Sequence, residues 1–157
     1  MDQEKILNYL VSHSIFKELT TEHLKILTQY AEEKVFAEGE SLFKQDDKAE
    51  HFFVVREGSI TVEVPSIYGP PLEVQTIGPD EVLGWSWLIA PYTWAFEATA
   101  SNESQVLVFD GKQILSHGEK QPEFGYALMK QFAGLMSQRL AQARIKMMES
   151  WAPAGWA

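Results

Sequence analysis

Apolar residues recur at helical spacing through Ile6, Leu7, Leu10 and Val11, and break off at Ser12-His13-Ser14. They resume at Leu24, Leu27 and Ala31, behind Thr20, a residue type suited to capping a second helix. The capping box is incomplete, because His23 and not Glu or Gln stands three residues after Thr20. From Lys34 the period shortens to two. Short apolar runs fall at Val35-Phe36, Ser41-Leu42-Phe43, His51 to Val55, Ile60/Val62/Val64, Leu72/Val74, Val82-Leu83, Ala95 to Ala100 and Val106 to Phe109. Turn signals separate them, among them Glu38-Gly39-Glu40, Glu57-Gly58-Ser59, Tyr68-Gly69-Pro70-Pro71 and Gly78-Pro79-Asp80. About eight strands at this spacing predict a small antiparallel barrel or jelly roll. Ile60-Thr61-Val62-Glu63-Val64 is the clearest strand, apolar on one face and polar on the other. Gly39 and Gly58 stand where a tight reversal needs positive φ or a missing side chain, a structural role and not a ligand contact.

After Pro122 the helical period returns and runs to about residue 149. Its early apolar face is wide, with Phe124, Leu128, Met129, Phe132, Leu135 and Met136. It then narrows to Met136, Leu140, Ala143 and Met147. A wide face suits packing on the roll and a narrow seam suits another helix. The second half is therefore expected to pair with its copy in a homodimer; the competing arrangement folds it back on its own domain. The expected architecture is mainly β with flanking helices. Residues 1–33 are helical, 34–111 form an eight-stranded antiparallel β-roll and 122–149 form a long dimerisation helix, all within one domain spanning 1–157. The tail from Trp151 to Ala157 is too short to assign.

Composition narrows the picture further. With 157 residues, 45% hydrophobic and 22% charged, the chain has the make-up of one soluble domain. Cysteine is absent, which excludes disulfides, thiolate metal sites and cysteine catalysis. No apolar run approaches the ~20 residues of a membrane span, and the polar start Met1-Asp2-Gln3-Glu4-Lys5 is unlike a signal peptide. A cytoplasmic protein is expected. The net charge of −9 speaks against nucleic acid as a direct partner. Residues 49–111 alone sum to −8, with Arg56 their only Lys or Arg, whereas 112–157 sum to +3.

The run from Phe36 to Val64, with its Gly39-Glu40 turn and Arg56-Glu57-Gly58 hairpin, resembles the opening of a cyclic nucleotide-binding domain. Ile77-Gly78-Pro79-Asp80 and the strand from Val106 to Asp110 follow in that family's order and spacing. The resemblance covers roughly residues 14 to 146. It implies an effector domain whose ligand lies in a cassette: a short helix with amides facing the cyclic phosphate, a Glu on the ribose hydroxyl and an Arg on the phosphate. A helix N-terminus with an Arg makes a strong phosphate site. The corresponding segment here is Val82 to Ile89 and, after a loop, Trp94 to Ala100.

Gly84 matches the cassette glycine and Leu88 its apolar position, but Trp85 stands at the Glu position and Trp94 at the Arg position. Each lost charge-assisted bond is worth about 1.5–3 kcal/mol. Losing both weakens binding by about 3–6 kcal/mol, roughly two to four decades. No cofactor is expected; cyclic AMP or cyclic GMP would need non-standard anchors, from Arg56 or a basic residue of a partner helix. Aromatic side chains replace the anchors: Trp85, Trp87, Tyr92, Trp94 and Phe96, with Ser86 and Thr93 among them. They predict a pocket remade for a flat or apolar ligand, lined by Gly84, Trp85, Ser86, Trp87, Leu88, Trp94 and Ala95. Alternatively these rings fill the old pocket and leave a purely structural dimer module, or they mediate a protein contact.

Catalysis finds no support. His13, His23, His51 and His117 include no His-X-His pair, and no P-loop, nucleophile elbow or metalloprotease motif occurs. Asp46-Asp47 and Asp80-Glu81 lie in turns as solvated carboxylates. The basic residues Lys130, Arg139, Arg144 and Lys146 are expected on a solvated helix face, and no DNA-binding domain is expected after it. The expected function is thus a non-enzymatic regulatory or sensory module, with an unidentified small ligand or regulated protein as partner, no metal and no membrane.

Overall fold

Eight antiparallel strands build two four-stranded sheets, with helices before and after them. The computed structural model describes residues 1–150; the tail 151–157 lies outside the described residues. In chain order the elements are α1 (Gln3–Ser12), α2 (Thr21–Thr28), β1 (Ala31–Phe36), β2 (Ser41–Phe43), β3 (His51–Glu57), β4 (Ile60–Val64), β5 (Leu72–Ile77), β6 (Val82–Leu83), β7 (Glu97–Ala100), β8 (Ser104–Asp110), α3 (Gly111–Lys120) and α4 (Pro122–Ser150). One sheet has the order β1-β8-β3-β6, the other β2-β7-β4-β5. The jelly roll expected from the alternation is the fold observed, and β1 starts at Ala31, ahead of Lys34. Gly39 and Gly58 do carry positive φ, and Thr20 accepts from the His23 amide at 3.2 Å.

Strand β3 shows why its sequence is a continuous apolar run. Its side chains alternate between two faces, and here both faces are covered. Phe53 points into the roll toward Phe43 and Trp94, with ring centroids 6.0 and 6.4 Å away. Phe52 points outward, parallel to Phe109 at 4.5 Å and edge-on to Phe132 of α4 at 5.1 Å. The helices are therefore part of the same hydrophobic core as the sheets.

Two features depart from the periodicity. Helix α3 was not expected, because its apolar stripe is limited to Ile114 and Leu115. Asp110 caps it, accepting from the Gln113 amide at 3.1 Å. In α4, Phe124, Leu128 and Phe132 are buried as expected, but Met129 is 45% exposed, because it lies about 100° around the helix from that row. The distal half of α4 does not stand clear of the domain. Gln75 donates to Gln142 at 2.7 Å, and the Lys146 ammonium donates to the carbonyls of Glu73 and Val74 at 3.2 and 3.3 Å. These contacts lay α4 along the edge strand β5. Among the described residues no helix is long and apolar enough to cross a membrane.

Tyr9 fastens α1 to the turn before β6. Its buried hydroxyl donates to Asp80 at 2.5 Å, while the Arg56 guanidinium lies 5.2 Å over its ring and pairs with Glu33. Burial, then the hydrogen bond and charge of Asp80, push the phenol well above its ordinary value of 10.0, with Arg56 opposing in part. The unfolded phenol ionises first, so this contribution is intact below about pH 10 and is lost as pH rises further. Tyr9→Phe is expected to cost about 1–2 kcal/mol at neutral pH. The difference between natural chain and variant should shrink in urea melts above pH 10, and a constant difference there would refute the assignment.

Candidate ligand-binding site

A cavity of about 580 Å³ opens between the roll and the distal half of α4. Its floor is built by Phe43 of β2 and by Trp94, Ala95 and Phe96. Backbone pairing of Trp94 with Asp46 and Asp47, at 2.9 and 3.0 Å, holds Trp94 in place. The indole stacks on Phe43 with centroids 3.7 Å apart and planes 11° from parallel. At 5% exposure Trp94 is a wall and not a free anchor. Gly84 lies beside it with φ +101°, and a Cβ there would meet the Trp94 ring at 2.9 Å. This position thus needs glycine for both its dihedral and its space.

The segment after Gly84 divides its side chains between two sides. Trp85 and Ser86, both half-buried, line the cavity with Gly84, Trp94, Ala95 and Phe96. Trp87 and Leu88, expected in the same pocket, are core residues instead. The turn closed by the Leu88 amide on the Trp85 carbonyl, at 3.0 Å, carries both inward. Trp87 donates its indole N–H to the Gly84 carbonyl at 3.0 Å, stacks on Phe52 at 4.9 Å and meets Phe132 edge-on at 5.1 Å. Tyr92 is exposed and lines nothing here. Residues 84–96 contain turns and one isolated bridge but no helix, so no helix N-terminus faces the cavity from this segment.

The opposite wall comes from α4. Met136, Leu140 and Ala143, three residues of the expected dimer seam, line the cavity from the same chain, while Leu140 and the fourth seam residue Met147 remain 65% and 67% exposed. The seam is therefore shared between the cavity and the outer surface.

Arg139 is the residue that sequence reasoning misplaced. Expected on a solvated face, it is 7% exposed, lines the cavity, donates to the Val82 carbonyl and lies 4.0 Å from Glu81. Burial lowers its pKa and Glu81 raises it again in part; as a guanidinium it stays charged at neutral pH. The available signal was the helical row Phe124, Leu128, Phe132, on which Arg139 continues seven residues on. Lys146 also lines the cavity, whereas Arg56, expected as a possible rescue, is engaged with Glu33 and does not. Charged groups on the walls are thus Arg139, Lys146 and Glu81, set among apolar and aromatic surfaces. Among the described residues no group of three or more His, Asp or Glu is placed to hold a metal ion.

Comparison with known proteins places this architecture. The profile of the cyclic nucleotide-binding domain matches residues 33–120. A cyclic nucleotide-binding protein of Geobacter metallireducens, described as putative, is similar at 28% identity, over 85% of this chain and 96% of that one, with a TM-score of 0.75. The sensor domain of the transcriptional regulator DNR from Pseudomonas aeruginosa shares the fold at 18% identity and a TM-score of 0.71, over 88% and 93% of the two chains. The catabolite activator protein of Thermus thermophilus does so at 21% and 0.66, over 85% of this chain and 61% of that one. No curated protein matches the sequence.

Proposed function

Because the chain belongs to the cyclic nucleotide-binding domain family, a family of regulatory and sensory folds, we propose that it is a non-enzymatic, cytoplasmic sensory module whose ligand is not a cyclic nucleotide. One observation carries this reading: the cavity is open and lined by Trp85 and Trp94, the residues that stand where the family resemblance places the ribose-binding Glu and the phosphate-binding Arg. The absence of a helix in residues 84–96 supports it, since that segment offers a cyclic phosphate neither aligned helix amides nor a cationic side chain.

Occupancy is transmitted to α4 by two routes. Met136, Leu140 and Ala143 touch the ligand space directly, and Trp87 links the cassette turn to Phe132. A ligand that favours one placement of α4 shifts the population toward it. The output partner is a second copy of the chain, seated along Met136, Leu140, Ala143 and Met147, or a regulated protein reading the same helix.

The test is thermal unfolding with and without about 1 mM cyclic AMP or cyclic GMP. A ligand at 100 times its Kd adds about 2.7 kcal/mol, which would raise Tm by roughly 5–10 °C in a chain of this length. The expected shift is below about 1 °C for either nucleotide. A full shift would mean that Arg139 and Lys146 replace the missing anchors and that the family ligand is retained.

A further inference from the structure

We propose that the cavity takes a planar aromatic monocarboxylate, oriented with its acid group on Arg139 of α4 and its ring against Trp85 and Trp94. The inference rests on reading the cavity as a ligand site, and adds to it the charge, shape and polarity of the ligand.

The walls set the shape. Trp94, fixed by its stack on Phe43, lines the cavity, and Trp85, Phe96, Val62, Val74 and Leu83 complete an apolar lining suited to an aromatic ring. A volume of about 580 Å³ lies within the range of small-molecule pockets.

The charges set the polarity. Between them Arg139, Lys146 and Glu81 leave the lining with one net positive charge, which a monoanion neutralises. Arg139 is the deep one of the two cations, with 93% of its side chain covered. Among the described residues, only one of its five N–H donors is placed on a protein acceptor, the Val82 carbonyl. Its carboxylate neighbour is badly matched. The Glu81 oxygen stands 4.0 Å away, against about 2.7–2.9 Å for a charge-assisted bond. Glu81 is half exposed, and its other oxygen accepts from the Gly78 amide at 3.2 Å. An incoming carboxylate can take the planar guanidinium fork that Glu81 fills poorly, while Glu81 turns to water at little cost. Lys146 lies two helical turns further out, roughly 10 Å along α4, where it lines the cavity and donates to the β5 carbonyls. The acid end is thereby assigned to the α4 wall, across the cavity from the cassette turn.

Isothermal titration with naphthoate and with its neutral isostere naphthamide tests this. The natural chain is expected to bind naphthoate roughly ten- to a hundredfold more tightly than naphthamide, the value of a charge-assisted pair. Arg139→Met, a change of similar length that removes the buried charge, should abolish that preference while leaving naphthamide binding in place. Glu81→Gln, at an exposed position that leaves the core untouched, should tighten naphthoate several-fold and leave naphthamide unchanged. Equal binding of the two ligands by the natural chain, or a preference unaltered in both variants, overturns the acid site on Arg139 but leaves the apolar ligand pocket standing. Binding of neither ligand, together with stabilisation by cyclic AMP, overturns both readings at once.

Discussion

Trp87→Ala is expected to cost about 3–5 kcal/mol, because it empties a buried indole site whose walls relax only in part. For a chain of this length that lowers Tm by roughly 6–20 °C. The indole is packed on three independent elements: Phe52 of β3, Phe132 of α4 and the start of α3. A Cβ on Gly111 would lie only 2.7 Å from the Trp87 ring. Its N–H also satisfies the Gly84 carbonyl, which the variant would leave buried without that donor. Trp85, two residues earlier, is half-buried on the cavity wall. Trp85→Ala is expected to cost less than about 1.5 kcal/mol of stability and to weaken binding of an aromatic ligand instead. Thermal and urea unfolding of the two variants side by side check this; equal losses would contradict the division of the two tryptophans between core and pocket.

The double variant Trp85→Glu/Trp94→Arg is expected to bind cyclic AMP roughly two to four decades more tightly than the natural chain. It restores two charge-assisted anchors of about 1.5–3 kcal/mol each at the positions where the family resemblance places them. An Arg at position 94 can keep its planar face on Phe43, as the indole does now, so part of the local packing survives. The stability lost with the buried indole is expected to lower Tm, and titration calorimetry belongs well below that temperature. A folded double variant with no detectable binding at millimolar nucleotide would mean that the cassette backbone, which has turns here and no helix, is itself unable to hold the phosphate.

The homodimer expected along α4 has a different physical standing from the fold. The row Met136, Leu140, Ala143, Met147 has the spacing of a helix–helix seam, and Leu140 and Met147 are exposed as such a seam requires. Yet Met136, Leu140 and Ala143 also face the cavity, and Gln142 and Lys146 hold the helix to β5. A spacing of four and three describes any helix with something apolar beside it, whether that is a second helix or a ligand.

What the sequence determined by itself was everything that depends on local period and local backbone. Most of the eight strands follow from period-two alternation, β3 from a continuous apolar run, and the reversals at Gly39 and Gly58 from the need for positive φ. These are properties of a residue and its near neighbours, so they survive without knowledge of the fold. Only the tertiary structure decided the fates of Trp85 and Trp87, which look alike in sequence but lie on opposite sides of one turn. It alone decided that Arg56 is held by Glu33 and that Arg139, aligned with a buried row by helical spacing but expected in solvent because of its charge, forms a wall of the cavity. The reason is physical: a side chain's surroundings are set by elements far apart in sequence, and here β6, the cassette turn and α4 meet at a place that no local pattern encodes.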